Sequence, residues 1–386
     1  MGVESAELLE TACERTGLDD FGADTFRSGL DRLVDGLATE ARLNELGGVI
    51  AHEGLVGHLT KRLEVVDWHH RHSEIAAGAV TAPLILIGMG RTGTTILHDL
   101  LGQDPRHRIP RTWEVDQPCP PPEAATSATD PRIAESQARI DLAYDARPEM
   151  QAMHPMGARR GQECIVMTGS EFASGIFLSQ YRLPSYFHWL IDEADMAPAY
   201  RWHRRFLQLL QWRDPAERWI LKSGAHLWAL PALAAEYPDA VFVQTHRDPL
   251  RVIASLSSLF AAVQVVASDD ASMRGVAADW ADAVVDALDR SVTAREDGTV
   301  PADRVLDVPY DAFMADPFAT IRTIYAHLDA ELDPQTDARI RIFLAENRAD
   351  AHGTHRYSFA DTGLNEGGLR EKVRRYTDYF DVQPER

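Results

Sequence analysis

The run Gly88-Met89-Gly90-Arg91-Thr92-Gly93-Thr94-Thr95 carries the residue types that hold an anion in a loop of backbone. Gly90 and Gly93 permit a tight turn with inward-pointing N–H groups, and a helix opening behind it adds the positive end of its dipole. The spacing is that of a Walker A loop (glycine, four residues, glycine), but Thr94 stands where that loop carries its lysine. Triphosphate chemistry is therefore disfavoured, and Arg91 becomes the loop's cation. The plainer reading of these residues alone is a strand–turn–helix junction. A second element shifts the balance. Arg247 follows Val241-Phe242-Val243-Gln244-Thr245-His246, Pro249 opens a helix, and Ser255, 8 residues after Arg247, faces the same side. Ligands of open α/β sheets lie beyond the carboxyl ends of the strands, so two such ends imply a ligand with two separated phosphate-like groups. The competing reading pairs Arg247 with Asp248 or another surface acid.

Positioning these groups requires buried strands. Leu84-Ile85-Leu86-Ile87, Trp219-Ile220-Leu221 and Ala240-Val241-Phe242-Val243 are short and fully apolar, as parallel strands covered on both faces are. Arg304-Val305-Leu306-Asp307 reads as a last strand. Helical patterns follow the first three, through Ile96-Leu97 and near 226–236 and 249–262, with an amphipathic helix over 271–290. This alternation predicts an α/β fold with a parallel sheet flanked by helices. Leu30, Leu33, Val34 and Leu37 recur at helical spacing, which makes residues 1–80 a helical N-terminal extension before a P-loop-like domain over 81–386. Pro118 and Pro120-Pro121-Pro122 mark an exposed loop, and 130–212 is mostly helical again.

The 386 residues include 39 Lys plus Arg against 59 Asp plus Glu, a formal charge of −20. That charge argues against nucleic acid as a partner, whose phosphates need clustered cations. An apolar share of 45% and a charged share of 25% fit a globular core and exclude disorder as the main state. Cys13, Cys119 and Cys164 show no metal or redox spacing, and the N-terminus is acidic with no apolar stretch behind it. The expectation is a cytoplasmic protein without a transmembrane segment. The sequence assigns no oligomeric state. In Trp68-His69-His70-Arg71-His72, adjacent histidines on a helix point to different faces, so no metal site is expected.

Gly90 to Thr95 resembles the 5′-phosphosulfate loop of sulfotransferases that use 3′-phosphoadenosine 5′-phosphosulfate (PAPS). Arg247 with Ser255 resembles their 3′-phosphate site, in the same order and spacing. The similarity is closest to bacterial sulfotransferases with a helical N-terminal extension, over residues 24–75, 83–122, 186–259 and 355–380. Two positions depart from it: Gly224 where the family usually has Pro, and Thr362 where it usually has Phe. The resemblance implies PAPS as co-substrate, no metal, and a small, apolar molecule with a hydroxyl as acceptor. Gly90, Arg91, Thr92, Gly93, Thr94 and Thr95 would then hold the 5′-phosphate, and Arg247 with Ser255 the 3′-phosphate. His355 and Arg356, in a basic C-terminal stretch, would close over the nucleotide. Lys222, at a strand's carboxyl end, would reach the bridging oxygen.

The resemblance also implies a base. Glu114, 23 residues after Arg91, is the first candidate, unless it pairs locally with Arg111; His226 is its rival. His154 and Glu163 would line the acceptor site, with Tyr186 among the aromatics of its wall. A P-loop kinase or NTPase, and a non-catalytic nucleotide-binding protein of the same fold, stay open beside this reading.

Overall fold

Leu84-Ile85-Leu86-Ile87 has no polar side chain for either face, so it can be stable only between two apolar layers. In the computed structural model, which describes residues 4–347 and 356–385, it forms the buried centre of a five-stranded parallel sheet. The strands are β1 (Leu84–Ile87), β2 (His107–Arg108), β3 (Arg218–Lys222), β4 (Val241–His246) and β5 (Val305–Pro309), in the spatial order β2-β3-β1-β4-β5. Side chains of a strand alternate between faces. Leu84 and Leu86 join one core with Leu97, Ile220, Val243 and Ile324, whereas Ile85 and Ile87 join another with Phe206, Leu221, Phe242 and Val284.

Register brings the carboxyl ends together. Leu86 pairs with Lys222, Ile87 with Gln244, and His246 with Pro309. The segments that follow β1, β3 and β4 therefore emerge side by side along one edge of the sheet. β4 runs to His246 rather than ending at Val243, because its polar residues are buried and partnered: His246 bonds the Tyr376 hydroxyl (2.8 Å) and Asp307 (2.9 Å). β2 is a two-residue edge strand paired with β3 that carries no apolar pattern.

Three helices precede the sheet: α1 (Ser5–Thr16), α2 (Arg27–Thr39) and α3 (Glu45–Arg71). They bury Leu8, Leu30, Leu33, Leu55 and Leu59 in one core with Phe172, Phe177 and Tyr186. Two glycines make the contact close. A Cβ at Gly29 would overlap the Phe172 carbonyl, and one at Gly47 would overlap that of Ala267. Arg62 of α3 is buried against Glu171 (2.5 Å) and also donates to the carbonyls of Phe21 (2.8 Å) and Ala23 (2.7 Å). Among the described residues, no helix is long and apolar enough to cross a membrane.

Candidate active site

The loop after β1 is held in shape by its own residues. Gly88 and Gly93 have φ of 127° and 87°, in the region that suits glycine, and the ring of Phe313 comes within 3.2 Å of where a Cβ on Gly93 would stand. Thr92 Oγ1 donates to the Met89 carbonyl (2.6 Å) and lies 2.6 Å from Thr245 Oγ1, which ties the loop to β4. Gly93 then caps α4 (Thr94–Leu101), so the loop N–H groups and the helix start face the same side. Gly224 lies against this loop: a Cβ there would stand 2.8 Å from the Gly90 nitrogen. The glycine at this position lets the segment after β3 approach the loop backbone.

Three cations converge on this edge. Arg91, with a left-handed backbone (φ 73°), donates from Nε to Ser255 Oγ (3.0 Å) and from Nη1 to the Met153 carbonyl (2.9 Å). Arg247 donates from Nη1 to the Arg91 carbonyl (2.9 Å) and lies 4.0 Å from the centre of the Tyr310 ring. Its other face grips the Glu385 carboxylate at 2.7 and 3.0 Å, the two-point geometry a phosphate also takes. Lys222 at the end of β3 donates from Nζ to Thr95 Oγ1 (3.1 Å) and to Glu163 Oε1 (2.8 Å). The structure thus gathers Gly90–Thr95, Lys222, Arg247 and Ser255 from distant parts of the chain.

Beside the loop opens a cavity of about 430 Å³. Its far wall is apolar, with Phe187, Leu190, Trp228, Leu259 and Trp280; its near end is polar, with Arg91, Thr95, His154, Glu163 and His226. Burial alone would raise the Glu163 carboxyl, but the charge and hydrogen bond of Lys222 outweigh it and hold the group below its usual value. It is a carboxylate at neutral pH. His154 is pushed down to about 4, first by burial and then by Lys222, and is neutral. His226 is pushed down to about 3 by burial; its Nδ1 shares a 2.8 Å hydrogen bond with the Tyr200 hydroxyl, and its Nε2 has no partner.

Other expected residues lie elsewhere. Glu114 is fully buried and does not line the cavity. Its Oε1 is 3.3 Å from Arg108 Nη2 and 3.8 Å from Arg111 Nη1, while Oε2 accepts from the Arg111 backbone N–H (3.4 Å). The carboxylate is committed to arginines under the helix Thr112–Asp116, so the structure corrects its expected place next to the acceptor. Tyr186 is likewise corrected. Its hydroxyl donates to the Phe172 carbonyl (2.8 Å) and accepts from the Ser174 N–H (3.1 Å), so it braces the wall from behind while Phe187 faces the cavity. His355 lies outside the described residues, and Arg356 is exposed. Tyr357 next to it lies near both Arg91 and Arg247. Tyr310 and Tyr357 were not singled out from the sequence, although Tyr310 directly follows the last strand and Tyr357 sits in the basic stretch.

A glycine loop, two cationic strand ends and an apolar cavity at one edge of a parallel sheet define a P-loop-like group-transfer protein. Comparison with known proteins makes this specific. The sequence model of the sulfotransferase family matches residues 83–334, and the chain belongs to that family. It superposes on sulfotransferase STF9 from Mycobacterium avium with a TM-score of 0.90 at 30% identity, covering 99% of this chain and 97% of that one. For sulfotransferase STF1 from Mycobacterium tuberculosis H37Rv the TM-score is 0.83 at 32% identity, covering 96% and 98%. The omega-hydroxy-beta-dihydromenaquinone-9 sulfotransferase Stf3 of Mycobacterium tuberculosis (strain CDC 1551 / Oshkosh) is 27% identical over 278 residues, 69% of this chain and 67% of that protein.

Proposed function

We propose that this protein transfers the sulfo group of PAPS to a hydroxyl of a small, apolar acceptor, releasing adenosine 3′,5′-bisphosphate (PAP) and a sulfate ester. One observation carries the reading. Arg247, just after β4, donates to the Arg91 carbonyl (2.9 Å), and the Arg91 side chain reaches Ser255 (3.0 Å), so a second cationic site is fastened directly beside the glycine loop. On this reading the loop N–H groups with Arg91, Thr94 and Thr95 hold the 5′-phosphate, and Arg247 with Ser255 holds the 3′-phosphate. Lys222 stabilises charge on the oxygen that leaves sulfur, a task given to cations in related group transfers. With three side-chain cations in place, the reaction requires no metal.

The apolar wall supports an acceptor with a hydrocarbon body and one hydroxyl aimed at the loop. The Stf3 relative, named for an omega-hydroxylated dihydromenaquinone, supports the same class. Residues 1–80 act as a helical extension that backs the acceptor side of the domain over 81–386. A cytoplasmic location is part of the reading, supported by the free cysteines Cys13, Cys119 and Cys164.

Titration calorimetry tests the donor site. PAP binds much more tightly than AMP, and Arg247→Ala weakens PAP about tenfold or more while AMP changes little, since a charge-assisted contact is worth roughly 1.5–3 kcal/mol. Equal affinity of the unaltered protein for AMP and PAP would overturn the assignment. Tight ATP binding would favour a kinase, which the Thr94 position opposes.

A further inference from the structure

We propose that Glu163 is the general base of the transfer, and that Lys222 holds its carboxylate until the donor's phosphate draws the ammonium away; this rests on the PAPS reading above. Lys222 Nζ bridges Thr95 Oγ1 (3.1 Å) at the start of α4 and Glu163 Oε1 (2.8 Å). Glu163 therefore stands one side chain from the end of the phosphate loop where the sulfo group must lie. It also lines the cavity that would receive the acceptor, with a quarter of its side chain still exposed there. Glu114 has neither property. His226 lines the cavity too and leaves Nε2 unpartnered, but its hydrogen bond goes to Tyr200 rather than to the loop, and burial pushes it down to about 3, which makes it a weak base.

The ammonium of Lys222 is almost completely buried and has only three N–H bonds to give. Two of them go to Thr95 and Glu163; a phosphate oxygen arriving at Thr95 takes the third and draws the ammonium towards its own negative charge, away from Glu163. Once Lys222 turns to the donor, Glu163 is a desolvated carboxylate with an unfilled lone pair facing the acceptor. His154 next to it is neutral and supplies no competing charge. The step then balances. The acceptor O–H proton passes to the Glu163 carboxylate, and the acceptor oxygen forms a new bond to sulfur. The bond from sulfur to the 5′-phosphate oxygen breaks, and its electron pair stays on PAP next to Lys222. Before the donor binds, the base is occupied, so an acceptor arriving first is not activated.

The test separates a base from a mere support for Lys222. Glu163→Gln is compared with the unaltered enzyme in PAP calorimetry, and in initial rates from PAPS with 1-dodecanol and with 4-nitrophenol, which is largely ionised at mildly alkaline pH. The expected variant binds PAP as tightly or a few-fold more tightly, because Lys222 is no longer shared. Its kcat for dodecanol falls about 10²–10⁴-fold, and its kcat for 4-nitrophenol far less, since that acceptor needs no base. Equal losses for both acceptors, or weaker PAP with kcat intact, would overturn the assignment. Retained PAP binding shows that the variant folds; if it does not fold, Glu163→Asp, which keeps a carboxylate but draws it back from the acceptor, is expected to lose more kcat with dodecanol than with 4-nitrophenol, and equal losses would overturn the assignment. If the unaltered protein binds no PAP, the functional reading itself fails. If it binds PAP and Glu163→Gln keeps full dodecanol turnover, only the base is wrong.

Discussion

A carboxylate removed entirely from water needs a cation, and Glu114 has Arg108 at 3.3 Å and Arg111 at 3.8 Å. Arg108 in turn lies 4.9 Å from the Trp219 ring centre and 3.6 Å from Asp214, so the group ties β2 to β3. Glu114→Gln leaves Arg108 short of a buried counter-charge. It should lower the stability measured by urea unfolding by roughly 1–3 kcal/mol while leaving kcat within a few-fold. A kcat loss of 10²-fold with unchanged stability would return Glu114 to the chemistry. The spacing from Arg91 could not separate these roles. It places Glu114 beyond α4, but the face its side chain takes is set by edge strand β2, and His107-Arg108 gives no hydrophobic signal. Glu163 was legible as an acceptor-site residue, but its pairing with Lys222 was not, because that partner lies 59 residues further along the chain.

At the scale of elements, the strands whose residues are all apolar were readable, and so were the helices behind them. The C-terminal segment was not. Its approach to Arg247 depends on Asp248, which accepts from the Glu385 N–H (2.9 Å) while pairing with Arg370 at 2.6 and 3.0 Å. No local pattern announces such a contact across more than 100 residues. Its effect is measurable. If Arg247 takes a 3′-phosphate as proposed, that phosphate must displace the Glu385 carboxylate, so Glu385→Ala should tighten PAP about three- to tenfold, in keeping with about 1 kcal/mol for a partly exposed ion pair. AMP, which lacks that phosphate, should bind as before. Calorimetry that finds PAP unchanged would mean that the carboxylate does not compete.

Taken as a whole, the molecule stores histidines away from water. His69 and His154 are pushed down to about 4, and His98, His203 and His226 to about 3, in each case first by burial. The ordinary value is 6.5, so below it the unfolded chain takes up protons that the folded one refuses. Stability is therefore full at about pH 7.5 and declines as pH falls through 6.5 towards the folded values. Calorimetric Tm should drop steadily from about pH 7.5 to about pH 5, with proton uptake on unfolding. A flat Tm over that range would contradict neutral burial. Carboxylates such as Asp104, held at about 2, act only in a lower window, beneath their ordinary 3.8.

The helical character of the first 80 residues was readable from spacing, but their shared core with Phe172, Phe177 and Tyr186 was not, since it rests on backbone contact at Gly29 and Gly47. That contact has a further consequence. Ala173, Leu178, Phe187 and Leu190 belong both to this core and to the cavity wall. The bore of the cavity is thus gauged in part by the N-terminal helices that pack behind its wall. Substitutions in α2 or α3 can therefore widen or narrow the cavity from behind while the glycine loop after β1 keeps its own ties to β4.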